Sequence, residues 1–469
     1  MTVVAKQSTT DSGPFDRSIV EGPIARAVWR LAWPTMLQNV LGGVQGIVDH
    51  VMVGNFVGYE GNAAVGVSWQ IYIVVMVFMS SLYTGMAVLV ARFAGANDPA
   101  RVQRSVAQGL LTVIVLSVVV LAPLGWWLAP SLLRFVNATA EVRAQALPYL
   151  RIVFVLGGGM MILFMLSSAL RSAGDARTPM RLGIAATFLN MALNALLIPG
   201  VGPVPRLGTA GAALGTVLAS WILTAYALRH LFRGDWVVRL PHGWWRPDFS
   251  VIRALFRFGL PAGIQGVIMN VAGVFLLRFI GSLPQSAAAQ AAYAVGYTEL
   301  FSLVTWTSVG LMGAVAAVAG QNLGAGRPER VMSAIAVASR IGLTVAAVVG
   351  LLFLAVPRLL LGAFGMTSGE VVEVGVQLLR FLAVSGCFVS VALVHTGGLQ
   401  GTGDTKSPLY ISIVSQVVVP LGLCAILQST DRLVPAAIWS AILAGHFTRS
   451  LLSVWRFRQG RWRHIEVHI

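Results

Sequence analysis

The stretch LRSAGDARTP (Leu170–Pro179) returns 229 residues later as LQGTGDTKSP (Leu399–Pro408). Two further pairs keep the same order. WRLAWPTMLQNVL (Trp29–Leu41) lines up with FRFGLPAGIQGVI (Phe256–Ile268), setting Pro34 on Pro261 and Gln38 on Gln265. GANDPARV (Gly95–Val102) lines up with GAGRPERV (Gly324–Val331). Three matches in one order, at offsets of about 227–229 residues, identify a duplicated unit.

Between these markers the chain is apolar. It has 469 residues, of which 57% are hydrophobic and 11% charged, with a mean hydropathy of +0.79. Soluble domains carry about 25% charge, so 17 acids and 33 bases cannot coat a water-soluble chain of this length. Apolar runs near 30–57, 63–91, 105–129, 144–170, 180–199, 208–232, 254–281, 287–320, 332–362, 374–400, 408–428 and 434–455 read as twelve spans. Six spans per copy start both copies on the same side, so the repeat is parallel, about an axis along the membrane normal. The expected fold is all-α and integral to the membrane: twelve transmembrane helices in two six-helix bundles. The expected boundaries are a cytoplasmic N-terminal segment 1–28, an N-terminal bundle 29–232, a cytoplasmic linker 233–253, a C-terminal bundle 254–456 and a cytoplasmic tail 457–469.

The net charge of +16 would suggest nucleic acid in a soluble protein. Here the positions matter more than the sum. With the N-terminus inside, roughly 25 of the 33 bases fall at cytoplasmic span ends, Arg101, Arg104, Arg171, Arg177 and Lys406 among them. That places both termini in the cytoplasm, and no nucleic-acid partner is expected. Cys387 and Cys424 lie in apolar runs and imply no disulfide framework.

Only two carboxylates lie well inside spans, Asp49 in GGVQGIVDHVMVG and Glu299 in AYAVGYTELFSLVTW. A charge at the centre of a spanning helix costs about 2.5–3.5 kcal/mol on insertion scales, so it needs a partner or a water-lined cavity. The functional reading is a coupling-ion or substrate site; the bland one is a fixed hydrogen-bond anchor. Asn190 and Asn194, four apart on span five, share one helix face and form either a polar wall for Asp49 or interhelical glue. Gln38 and Gln265 read similarly. Pro34 and Pro261 free backbone carbonyls and are expected to kink spans one and seven, as hinges or as static bends. His50 and His395 lack metal-ligand spacing and are expected to be structural. Met160, Met161, Phe164 and Met165 read as packing before they read as a drug pocket. No metal site, cofactor or enzyme motif is found: the only lysines, Lys6 and Lys406, complete no phosphate loop.

These segments resemble the multidrug and toxic compound extrusion (MATE) family. The resemblance is carried by VDHVMVGNFVG (Val48–Gly58), GQNLGAGRPERV (Gly320–Val331) and the paired Gly-Asp turns at Gly174 and Gly403, and runs from about Ala27 to Arg458. It implies a cation-coupled antiporter of organic, often cationic and amphipathic compounds, working by alternating access in the inner (plasma) membrane as a monomer. Asp49 falls on the family's first-helix acid. Asn190 and Asn194 fall on its fifth-helix pair, whose second position is often Asp in proton-coupled relatives. Glu299 resembles an acid in the eighth helix of some members. The sodium-coupled branch carries acids in helices seven and ten, where this chain offers Asn270 and nothing deeper than Glu373. H+ is therefore the favoured coupling ion, with Na+ as the alternative. A flippase of lipid-linked or metabolite cargo is the other transport reading, and the scarcity of intramembrane bases argues against it; Arg151, Arg278 and Arg380 are the exceptions.

Overall fold

The structure is a computed structural model that describes residues 14–467 apart from 242 and 368, so positions 1–13 and 468–469 of the expected terminal segments lie outside the described residues. Twelve long helices run through it. The first half holds α1 (Ile24–Phe56), α2 (Tyr59–Gly95), α3 (Pro99–Phe135), α4 (Ala140–Leu156, continuing after a 50° bend as Gly158–Ser172), α5 (Arg177–Leu197) and α6 (Gly208–Arg233). The second holds α7 (Phe249–Gly281), α8 (Ser286–Gly324), α9 (Pro328–Ala355), α10 (Gly369–Gly401), α11 (Lys406–Ser429) and α12 (Pro435–Arg458). Among the described residues ten of these, counting bent α4 as one, are long and apolar enough to cross a membrane. The other two are long enough but interrupted by polar side chains: Gln38, Asn39, Gln45 and Asp49 on α1, and His446, Thr448 and Arg449 on α12. Lipid would not tolerate these groups, so both helices turn them inward.

The duplicated markers are turns. In the Leu170 and Leu399 copies, Gly174 (φ +105°) and Gly403 (φ +97°) take the left-handed conformation that ends a helix. The aspartate that follows starts the next one. Asp175 Oδ1 accepts the N–H groups of Arg177 and Thr178, both at 3.0 Å, and Asp404 Oδ1 accepts that of Ser407 at 3.2 Å. The copies then diverge. Asp404 is 6% exposed and its Oδ2 receives Nε and Nη2 of Arg456 at 3.0 and 2.8 Å; among the described residues Asp175 has no such base. Asp404→Ala strands a partly buried guanidinium and should cost about 2 kcal/mol, whereas Asp175→Ala loses only a cap, about 1 kcal/mol. Thermal unfolding of the two variants in detergent should show Asp404→Ala several degrees below Asp175→Ala.

The two halves touch over the end of the molecule that carries both chain termini. There α2 crosses α7, and α8 crosses α1 and α2. Side chains are absent at the crossings: a Cβ on Gly85 would lie 2.0 Å from the Leu255 carbonyl oxygen, and one on Gly259 would lie 1.9 Å from that of Ser81. Terminal segments bind across this end. Arg330 donates to the carbonyl of Gly22 at 2.6 Å, Arg327 to that of Val20 at 2.7 Å, and Arg92 to that of Ile465. Towards the opposite end the halves separate, and a Cβ on Gly42, Gly43, Gly46 or Gly273 would meet nothing within 4 Å. The cleft between the bundles therefore opens away from the termini.

Pro34 and Pro261 do not break their helices. Both α1 and α7 run unbroken through them, and the Thr35 hydroxyl donates to the Leu31 carbonyl at 2.7 Å beside the group that Pro34 leaves free. The irregular backbone lies elsewhere: the bend at Gly157, and π-helical turns at Leu116–Leu121, Tyr293–Leu300 and Ile413–Val418. The linker after α6 is docked rather than loose. Trp236, Val237 and Trp244 pack on the first-half core, Gln108 bonds the backbone of Arg246 and Asp248 at 2.9 Å each, and Asp248 pairs with Arg104. Burial opposes ionisation of Asp248, yet hydrogen bonds from Ser250 and Arg104 hold its carboxyl below the usual carboxylate range.

Candidate functional site

Asp49 is half-buried on α1, where α5 packs alongside. Its Oδ1 accepts Nδ2 of Asn194 at 2.8 Å. Asn190, one turn away on the same face, lies between Asp49 and α6: its amide nitrogen reaches Asp49 Oδ1 at 3.1 Å while its oxygen accepts the Thr216 hydroxyl at 3.0 Å. Both asparagines are buried, at 1% and 0% exposure, so their amides are fixed in place before any ion arrives. Gln45 extends the cluster through the Thr187 hydroxyl, which donates to its Oε1 at 2.9 Å. Asn194 Oδ1 is left buried without a hydrogen-bond partner. Gly215 makes room for it, since a Cβ there would lie 2.0 Å away. The result is one carboxylate faced by the N–H groups of preorganised amides, with the unpartnered Asn194 oxygen turned towards Gly215 on α6. Such a site can hold a proton on Asp49, and it can hold a small cation once an amide turns its oxygen towards the carboxylate.

The repeat does not carry this chemistry twice. At the corresponding places the second half has Leu276, Val419 and Leu423 where the first has Asp49, Asn190 and Asn194. Gln38 and Gln265 keep their correspondence but not their partners. Gln265 donates to the Ser412 hydroxyl at 2.7 Å, while Gln38 packs on Gly183, the residue in the place of Ser412, and its Oε1 has no partner. Neither reaches Asp49. Glu299 is exposed on the π-helical turn of α8, and among the described residues its carboxylate makes no hydrogen bond. His50 turns away from its neighbour Asp49 and bonds Asn62. Met160, Met161 and Met165 are buried core, as packing requires, whereas Phe164 faces the space between the halves.

Three features escaped the sequence reading. The π-helical turns carry no residue signature. In the second half, buried His446 and Arg449 on α12 lie beside half-buried Tyr297, whose hydroxyl is 3.4 Å from His446 Nε2; the drop in hydropathy along span twelve was the only trace of this group. Arg171 was counted among bases at the membrane edge, yet it lines a cavity between the two halves.

Comparison with known proteins agrees with this architecture. The MatE family pattern matches residues 34–196 and 261–426, one match in each half. A probable multidrug resistance protein NorM of Thermotoga maritima is 26% identical over 439 residues, covering 94% of this chain and 93% of its own. Another, from Deinococcus radiodurans, is 30% identical over 92% of this chain and 94% of its own. Among solved structures, an outward-facing conformation of a multidrug resistance MATE family transporter of the MOP superfamily superposes with a TM-score of 0.87 at 21% identity, covering 98% of this chain and all of that one.

Proposed function

We propose that the chain, which belongs to the MATE family of multidrug efflux transporters, is a proton-coupled antiporter that exports amphipathic organic compounds, cations among them, across the inner (plasma) membrane. Both termini lie in the cytoplasm in this reading, and the cleft opens outward. The observation that carries it is the single carboxylate Asp49 held against two buried asparagines in one half only. A proton taken up by Asp49 in the outward-open form disfavours bound substrate and drives its release. Closure of the cleft then carries the proton inward, where it leaves. Export and proton entry are thus two occupancies of one equilibrium between states.

A second reading has its own support. The unpartnered Oδ1 of Asn194 is the kind of neutral oxygen donor that Na+ uses, and a turn of the amide would bring it to face Asp49. Purified protein in vesicles decides between the two. Export of a fluorescent amphipath should follow an imposed pH gradient and be indifferent to a sodium gradient at fixed pH. Export that follows sodium and ignores pH would replace H+ by Na+ at the same site.

A further inference from the structure

The middle of α12 carries hydrogen-bond donors on one face and no acceptor to receive them. His446 and Arg449 are three residues apart, and Ser453 follows four residues on, so all three share that face. They are buried, at 4%, 6% and 0% exposure, yet His446 Nδ1, Arg449 Nε and Ser453 Oγ have no hydrogen-bond partner. Tyr297 of α8 completes the group from the other side. Its hydroxyl lies 3.4 Å from His446 Nε2, and Phe301, one turn on, lays its ring nearly parallel to the imidazole at a centroid separation of 6.1 Å. Arg449 stands within electrostatic reach of both Tyr297 and His446. Whichever tautomer His446 takes, the Tyr297–His446 pair leaves a donor over. If the Tyr297 O–H donates to Nε2, the imidazole proton sits on Nδ1 with nothing to accept it. If Nε2–H donates instead, the Tyr297 O–H is the free donor.

The guanidinium has no counter-charge. Among the described residues Arg449 makes no hydrogen bond and no ion pair. Helices α7, α11 and α12 contain no carboxylate. Glu370 and Glu373 lie at the start of α10, near the end where α12 also begins, whereas Arg449 is fourteen residues in from Pro435, about 21 Å. Asp404 is committed to Arg456, seven residues and about 10 Å from Arg449, and Glu299 is exposed. The fold itself does not demand a base here: α6, the counterpart of α12 in the first half, keeps Arg229, His230 and Arg233 to its end. A buried guanidinium midway along a spanning helix is costly unless a negative charge joins it. Burial of this degree leaves room for a single atom and excludes an organic body. A monatomic anion accepts from guanidinium, N–H and O–H donors together. The two bundles thus hold opposite chemistries, an acid faced by amides in the first and a base beside unused donors in the second.

We infer that the core of the second bundle is a binding site for a chloride-sized inorganic anion, held by Arg449 together with His446 and Tyr297. The site shares no residue with the Asp49 cluster or with the lining of the cavity between the halves, and it does not depend on the antiport reading. The purified protein in detergent is unfolded by heat at fixed pH and ionic strength in sodium gluconate, with chloride replacing gluconate stepwise. The thermal midpoint should rise by a few degrees along a saturating curve, and bromide should substitute for chloride. Arg449→Gln, which keeps a polar side chain and removes the charge, should flatten the curve. His446→Gln should move it to about tenfold higher chloride, the size of one lost hydrogen bond. Arg171→Gln, which removes the arginine of the cavity between the halves, should leave it unchanged. A wild-type midpoint indifferent to chloride overturns the proposal even if no variant folds, and assigns the donors to water. So does a curve that Arg449→Gln leaves in place or that Arg171→Gln abolishes. Crystals of the wild type grown in bromide locate the ion: an anomalous peak should stand beside the Arg449 guanidinium, and a bromide-bound crystal without that peak overturns the site.

Discussion

Asp49→Asn should reduce gradient-driven export to the level of empty vesicles while leaving the protein folded in the membrane. The substitution keeps the shape of the side chain and an oxygen that can accept the Asn194 amide, now 2.8 Å from Asp49 Oδ1. The buried asparagines thus keep their places and no cavity opens. What is lost is ionisation. An amide cannot take up and release a proton, and it gives a cation no net charge to bind. Two readouts distinguish this from damage: the thermal midpoint should stay near that of the wild type, and substrate binding without a gradient should survive. Only the coupling disappears, because one of the two linked ligands no longer discriminates between the states. Full pH-driven export by this variant would sink the role given to Asp49. Asn194→Leu, which places the residue of the second half in the first, should weaken coupling less completely, since it removes a donor and leaves the acid.

The same logic shows why part of this molecule could be read from its sequence and part could not. The twelve helices and their two-fold repetition were legible because lipid forces long apolar runs, and because left-handed turns at Gly174 and Gly403 demand the same residue twice. Asp49 was legible as a charge where charge is expensive, and the four-residue spacing of Asn190 and Asn194 put them on one face. That this face meets α1 is a fact of packing, invisible to spacing alone. Arg171 was misplaced because it is the penultimate residue of α4, where a base at the membrane edge and a base facing the cleft have the same sequence context. Pro34 and Pro261 sit in continuous helices, while the 50° bend falls at Gly157, where a Cβ would collide with the Tyr72 hydroxyl at 2.7 Å and the Val153 carbonyl at 2.2 Å. Packing of neighbouring helices sets these bends, and neighbours are what a single sequence does not display.

Gly95→Ala and Gly324→Ala should each drive the protein out of the state seen here and abolish most of its export. These glycines end α2 and α8 in the duplicated markers, and they meet on the pseudo-two-fold axis. A Cβ on Gly95 would stand 1.9 Å from the carbonyl oxygen of Gln321, and one on Gly324 would stand 2.0 Å from that of Arg92. Arg92 and Gln321 are themselves 229 residues apart, so the two clashes are one contact seen from both halves. The obstacle in each case is backbone, which cannot rotate aside as a side chain can. Relief requires the helix ends to part by about 1 Å or more, and packed interfaces respond by switching arrangement rather than by stretching. This contact closes the end that carries the termini, so a methyl group there penalises the form seen here, open away from the termini, and favours the opposite one. The measurement is labelling of a Thr84→Cys reporter in the cavity by a membrane-impermeant maleimide, with Cys387 and Cys424 replaced. In the parent background the reporter should react from the side opposite the termini. With Gly95→Ala or Gly324→Ala it should react from the terminal side. Because both methyls strain the same crossing, the double variant should shift the equilibrium by less than the sum of the singles. Unchanged sidedness together with retained export would show that this crossing does not gate the cleft.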